Sequence, residues 1–555
     1  MEILLIAISL AMDAFAVALC KGLEMKKINY KYSIIASAFA ALSIVGCNDL
    51  DTEPMGSTIT QGQKEETVES NPARIEASVA AMPSLFYDFG KILGERFHSD
   101  FGYPAITMWT DSRGTDMVSP VTGYNWFSSP VEYTDVQPTG VGTNLIWRTM
   151  YKQLYAVNSV TKMIPADTED EQLQFYLAQA YVIRAFNYFT LAQLYQHTYV
   201  GNENLPCVIL ITEKNQDEVG ANGAKRSTVA EVYAQIMSDL DSAIELLSST
   251  SVVRADKRYA SLEVAYGMRA RVNLVMNNWA AAASDAENAL KGEATPYTIS
   301  QVSRPGFSDD ADASWMWAMI VAETDRQVTS GICNFPSHMG SLNYGYASVG
   351  AWRYINKSLF NEIPATDVRK GWWLDENCYS PNLNGEQAAY AASAEIPAYT
   401  QMKFGCYKDE VYTSTNANDI PLMRVEEMYL IQAEAMAMAG NPAGGAAVLE
   451  NFVKTYRDPA YECNATTAEG VQAAAWFQRR IELWGEGFSY TDLLRLKKNV
   501  DRRGAGYQAA YVYNIPAGDD LLRFPIPQSE IEGNPMLTES DNNKIATQPA
   551  PVADI

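Results

Sequence analysis

Apolar side chains recur at three- and four-residue steps over much of the chain, the spacing that lines one face of a helix. In 145–164, "LIWRTMYKQLYAVNSVTKMI", the residues Ile146, Met150, Leu154, Val157 and Ile164 fall on one stripe. The period continues in 171–196, "EQLQFYLAQAYVIRAFNYFTLAQLYQ", where Ala178, Ala180, Ala185 and Ala192 are small enough to let a neighbouring helix approach. "STVAEVYAQIMSDLDSAIELLSS" (227–249) opens on a capping box. Thr228 and Glu231 stand three apart, so each side chain can accept from the other's backbone N–H; Ser227 misses that spacing by one. Residues 262–292 read as two helices broken at Met276-Asn277-Asn278. Residues 424–457 read as an Ala-rich helix, a turn at Gly440-Asn441-Pro442 and a second helix.

Between about 295 and 420 the helical period lapses, and Gly, Asn, Trp and Tyr take over in "SWMWAMI", "LNYGYASVGAWRY" and "GWWLDENCYSPNLNG". An aperiodic stretch this long is functional or partly structured. The helix–turn–helix units on either side resemble tetratricopeptide repeats, in which no pair buries its apolar face alone and each must stack on the next. The pattern predicts a mostly α protein: a TPR-like scaffold of helical pairs carrying an irregular, loop-rich lobe.

The N-terminal residues form a different pattern. Met25, Lys26, Lys27 and Lys31 make a short basic region, and Ile34 to Gly46 is apolar. That run is too short to span a bilayer and has the length of an export signal. It ends in "IVGC", a bacterial lipobox, so residues 25–46 read as a lipoprotein signal peptide and Cys47 as the lipidated N-terminus. Residues 47–70 are then a flexible tether, and the acyl chains hold the protein at a membrane. Residues 1–24 precede this second start; "AMDAFAVALCKGL" resembles the first helix of the manganese efflux pumps, and nothing later continues that family. This segment reads as misjoined.

Charge and cysteine usage narrow the function. A formal net charge of −24 argues against nucleic acid, whose phosphates need neutralising, and against charge-driven adhesion to anionic lipid. Cys207, Cys333, Cys378, Cys406 and Cys463 are widely spaced with no C-x-x-C pair, so zinc, redox motifs and a disulfide framework are not expected.

Five blocks, in order behind the lipobox, resemble the SusD/RagB family of outer-membrane lipoproteins. "AQAYVIRAFNYFTLAQLYQHTYVGNENLPCV" carries Arg184, Ala185, Tyr188, Leu191, Tyr195 and Pro206 of its first block. "RSTVAEVYAQIMSDLDSAIELL" carries the second, and "DIPLMRVEEMYLIQAEA" carries Arg424, Glu427, Leu430, Ala433 and Glu434 of the third. "RRIELWGEGFSYTDLLRLKK" and "FPIPQSEIEGNPML" complete the set to about residue 537. Gln196 replaces a common glycine, and Ser489 or Tyr490 a common arginine. The resemblance divides the mature chain into an N-terminal SusD-like helical region, 71–290, and a C-terminal region, 291–555, holding a ligand lobe at about 295–420. It also implies function: a non-enzymatic surface lipoprotein that captures oligosaccharide, or in some members peptide, and passes it to a SusC-type TonB-dependent transporter.

Sugar rings stack on aromatic faces while amides and acids satisfy hydroxyls. The expected ligand-binding residues are therefore Asn125 and Trp126 of "TGYNWF" and, from the lobe, Trp315, Trp317, Tyr344, Tyr346, Trp352, Trp372 and Trp373. Catalytic readings are weaker. Glu482 and Glu486 share a helix face and could make a hydrolase pair, but arginines such as Arg479, Arg480 or Arg495 suit them as structural partners. "SDDADAS" (Asp309, Asp310, Asp312, Ser314) imitates a calcium loop without its Gly and distant Glu, so a solvated loop is the expectation and no cofactor is assigned. His98, His197 and His338 stand in no recognisable nucleophile motif.

Overall fold

The expected helices form close to their expected limits, and each packs on the next. The computed structural model describes residues 75–555, which belong to one compact unit. The signal peptide at 25–46, Cys47, the tether at 47–70 and the segment 1–24 lie outside the described residues. The first helices are α1 (Glu76–Ser84), α2 (Tyr103–Arg113), α3 (Val141–Met163) and α4 (Glu171–Tyr195). Then come α5 (Val229–Ser249), α6 (Leu262–Val275) and α7 (Trp279–Ala289). After the lobe follow α8 (Val425–Met438), α9 (Pro442–Tyr456) and α10 (Ala468–Glu482). Helices α3 to α7 stack in sequence order. Ala178, Ala180, Ala185 and Ala192 are buried in α4, where a larger side chain would push its neighbours away.

Local chemistry sets the helix ends. Thr228 caps α5, accepting from Glu231 N–H at 3.2 Å, and Glu231 accepts from Thr228 N–H at 2.7 Å. Asn277 adopts φ 60° between α6 and α7, a left-handed conformation that asparagine tolerates. Gly440 at φ 99° ends α8, and Asn441 caps α9 by accepting from Gly444 N–H at 2.9 Å.

The helical array is continuous across the loop-rich segment. Helix α7 packs directly on α8, although the whole lobe separates them in sequence. The lobe enters and leaves through a two-stranded stem: β2 (Trp315–Met319) runs antiparallel to β4 (Ile420–Arg424), with Trp315 opposite Arg424 and Met319 opposite Ile420. A second short pair, β1 (Met117–Val118) with β3 (Tyr354–Ile355), ties the lobe to the segment after α2. Beyond the stem the lobe has a small core of its own, built from Leu342, Trp352, Leu374, Ile396, Met402 and Cys406.

A buried ionic cluster locks lobe to scaffold. Arg369, Lys403, Arg424 and Arg457 face Asp367, Glu426, Glu482 and Glu486, four cations against four anions. No described helix is long and apolar enough to cross a membrane, and the five described cysteines are unpaired.

Candidate functional site

An aromatic ridge is built from two groups, a column through Trp126 and His98 and a tyrosine trio of the lobe, joined through the segment Tyr344-Gly345-Tyr346. Trp126, half-buried, stacks on the His98 ring with centroids 4.8 Å apart and planes at 22°. His98 Nδ1 lies 2.5 Å from the Tyr346 hydroxyl, and Tyr346 stacks on His338 at 4.6 Å. The column ends in the core, where His338 stacks on Phe101 at 5.3 Å. Two residues from Tyr346, Tyr344 packs edge-on against Tyr412 at 5.4 Å, and Tyr412 meets Tyr390 at 5.3 Å. Tyr344 is 42% exposed, Tyr412 46% and Tyr124, two residues before Trp126, 61%, so their rings are open to a ligand.

The backbone beneath the ridge is constrained. Tyr344 N–H donates to Thr413 C=O at 3.1 Å and Tyr412 N–H to Leu342 C=O at 2.8 Å, so the two tyrosine strands are laced together. Gly345, between Tyr344 and Tyr346, lies so close to Ser337 that a Cβ there would sit 2.2 Å from its Oγ. Lys408, Asp409 and Tyr412 all have positive φ, at 54°, 59° and 60°. Strained backbone of this kind clusters where a loop must present a side chain. Burial lowers the His98 pKa, which keeps a neutral imidazole between the rings.

The structure separates the expected ligand residues into two groups. Trp126 and Tyr346 both pack on the His98 ring, Tyr346 at 8% exposure, and Tyr344 lies two residues before Tyr346 and packs on Tyr412. Trp352, also 8% exposed, lies under the ridge in the lobe core. The other rings are corrections. Trp315 and Trp317 belong to the stem and are fully buried; Trp317 donates to Arg258 C=O at 2.9 Å and packs edge-on against Phe86 and Phe186. Trp372 and Trp373 are fully buried too: Trp372 donates to Val302 C=O at 2.9 Å and lies 4.9 Å from the Lys403 ammonium, and Trp373 packs on Trp484 at 5.6 Å. A ring with no open face has nothing to offer a sugar. Asn125 is also structural, its side chain donating to Pro120 C=O at 2.6 Å and accepting from Phe127 N–H at 3.0 Å.

Sequence reasoning missed His98, Tyr390 and Tyr412. They come from three separated segments with no shared motif, and only the tertiary fold brings them together.

The carboxylate candidates resolve as structure. Glu482 accepts from Arg457 Nε at 2.7 Å, Arg369 Nη1 at 3.1 Å and Arg424 Nη1 at 3.1 Å. Glu486 is held by Arg424 and by Lys403 Nζ at 2.6 Å. The arginines differ from those expected: Arg479 and Arg495 pair with Asp492, and Arg480 with Asp116. Burial pushes the Glu482 carboxyl up, but the guanidiniums outweigh it and hold it well below the usual range. Asp309, Asp310 and Asp419 bring carboxylate oxygens within 4.8 Å of one another, whereas Asp312 accepts from the Tyr297 hydroxyl.

A stacked helical scaffold carries an inserted lobe with exposed aromatic rings, an arrangement suited to binding a ligand with flat apolar faces. The comparisons agree: residues 88–274 match the family model described as "Starch-binding associating with outer membrane", and residues 372–543 match the SusD family model. The chain belongs to the SusD/RagB family. SusD-like protein P25 of Formosa agariphila is 20% identical over 560 residues, 92% of this chain and 98% of that protein. SusD-like protein P38 of the same organism is 23% identical over 392 residues, 65% of this chain and 73% of that protein. A crystal structure of a SusD-like carbohydrate binding protein from Bacteroides vulgatus superposes with TM-score 0.70 at 23% identity, covering 85% of this chain and 98% of that one. A SusD superfamily protein from Bacteroides thetaiotaomicron gives 0.69 at 21% identity, covering 85% and 99%. Separately, 38 residues, 7% of this chain and 19% of the relative, are 55% identical to the manganese efflux pump MntP of Acetivibrio thermocellus.

Proposed function

We propose that this protein captures oligosaccharide on the ridge formed by Trp126, His98, Tyr390, Tyr412 and Tyr344 and passes it, uncleaved, to a SusC-type TonB-dependent outer-membrane transporter. Cys47 carries the lipid that keeps it at the outer-membrane surface. The observation that carries this reading is the exposure of the packed pair Tyr344 and Tyr412, together with half-buried Trp126 stacked on His98. Open rings stack on pyranose faces, each contributing, like a stacked aromatic pair, about 0.5–1.5 kcal/mol beyond burial. Family membership supports the same assignment, through the family's description and through the carbohydrate-binding relative. Glu482 and Glu486, the carboxylate pair weighed for hydrolysis, have buried side chains enclosed by cations, with no access to a glycosidic bond.

The test is a panel of linear hexasaccharides built from glucose, mannose and xylose, titrated calorimetrically and then assayed for new reducing ends. Binding without new ends is the expected result. Cleavage, or no binding to any glycan while peptides bind, would overturn it.

A further inference from the structure

Arg353 is fully buried and forms no ion pair with a carboxylate among the described residues. The other large buried guanidiniums are better compensated. Arg113, Arg369, Arg424 and Arg457 each meet an acid, and Arg502 donates to backbone carbonyls of Gly114, Val131, Ser112 and Arg113. Arg353 has only two neutral acceptors: Nη1 donates to Ser119 Oγ at 2.7 Å and Nη2 to Asn125 Oδ1 at 3.0 Å. Its Nε has no partner. The guanidinium lies 5.8 Å from the Phe127 ring centroid, and burial weighs against its charge, lowering its pKa to about 9. Burying a cation on these terms is unfavourable, and such a violation is expected where position matters more than stability.

What the cation holds is the segment 119–128. Asn125 also donates to Ser119 Oγ at 3.2 Å, so the guanidinium, the hydroxyl and the amide close a three-membered network around the turn. The next residue is Trp126, the first ring of the ridge. Arg353 itself belongs to the lobe, one residue before β3, and its C=O accepts from Gln401 N–H at 2.9 Å. The side chain therefore joins the two halves of the ridge, the turn carrying Trp126 and the lobe carrying Tyr344 and Tyr346. We propose that Arg353 is a positioning residue of the binding ridge: its fork sets where Trp126 stands against His98 and Tyr346, and so sets the spacing between the rings a ligand meets. The proposal rests on the ridge being the binding face.

The test uses Arg353→Met, which keeps the aliphatic volume and removes the fork and the charge. Three measurements are made on the tethered-region-free mature protein, residues 71–555, and its parent. The melting temperature is expected to stay within about 3 °C or to rise, because an uncompensated buried cation is lost. Hydrogen exchange without ligand is expected to speed up in 119–128 and to stay unchanged in 229–249. Affinity for the best hexasaccharide of the panel is expected to fall about tenfold, the equivalent of one lost stacked ring. Unchanged exchange at 119–128 overturns the positioning role whatever the ligand does. Faster exchange with unchanged affinity overturns its link to binding. If the parent binds no glycan, the ridge reading fails, and the exchange result still decides whether Arg353 holds the turn.

Discussion

Glu482→Gln removes the central charge of the ionic cluster that joins lobe to scaffold. The parent cluster is balanced, four cations against four anions, and the side chains of Arg369, Arg457, Glu426 and Glu482 are fully buried. The substitution leaves four cations against three anions with no water to screen the excess. It also turns an acceptor of three guanidiniums into an amide whose NH₂ faces at least one of them. Breaking a buried pair this way costs about 3–5 kcal/mol. That is a large share of the ~5–15 kcal/mol that holds a folded domain. Urea unfolding followed by circular dichroism reads the loss, with exposed Glu469→Gln on the same helix as a control expected to change stability by less than about 0.5 kcal/mol. The pH dependence follows from the depressed Glu482 pKa. A carboxylate held below its unfolded value stabilises above the ordinary carboxylate range, and the contribution fades as pH falls through the folded pKa. The gap between parent and variant therefore narrows in acid. A Glu482→Gln protein as stable as the parent at neutral pH would refute the reasoning, and one that is stable but has lost a measurable glycan cleavage would restore the hydrolase reading.

Other outcomes follow from the same geometry. Burial lifts the Asp111 pKa to about 7, so the folded protein holds a proton that the unfolded chain releases, and stability falls as pH rises from about 4 to 7; Asp111→Asn should raise the melting temperature at pH 8 and change little at pH 4. Trp317→Ala removes a core ring of the stem and should cost about 3–5 kcal/mol in denaturant unfolding, not a selective loss of affinity. Gly345→Ala drives a Cβ toward Ser337 Oγ and should weaken glycan binding by displacing Tyr344 and Tyr346, seen by calorimetry. Cys47→Ala, expressed from Met25, should move the protein from the membrane to the soluble fraction on sedimentation, and continued membrane association would contradict the lipid tether.

Helices and lobe were legible for different reasons. The 3.6-residue period, the Thr228–Glu231 box and the Gly440-Asn441-Pro442 turn act within a few residues, so they could be read locally, and the helices start and stop where those signals stand. The lapse of period marked the lobe, but not that its ends pair as a stem. That pairing is what takes Trp315 and Trp317 out of solvent. A tryptophan in a Gly- and Asn-rich stretch looks the same whether it floors the lobe or crowns it, because burial is decided by distant partners such as Lys403 and Trp484. For the same reason the ridge was half visible. Trp126, Tyr344 and Tyr346 lie in aromatic-rich runs, whereas His98, Tyr390 and Tyr412 reach the site only through the fold.

The most direct test of the central claim is a crystal structure of residues 71–555 with a bound hexasaccharide. The account predicts sugar rings stacked on Tyr344, Tyr412 and Trp126, with the chain intact. Density for the glycan elsewhere, for instance in the cavity of about 640 Å³ beside Arg254 and Glu263, with the ridge bare, would contradict it.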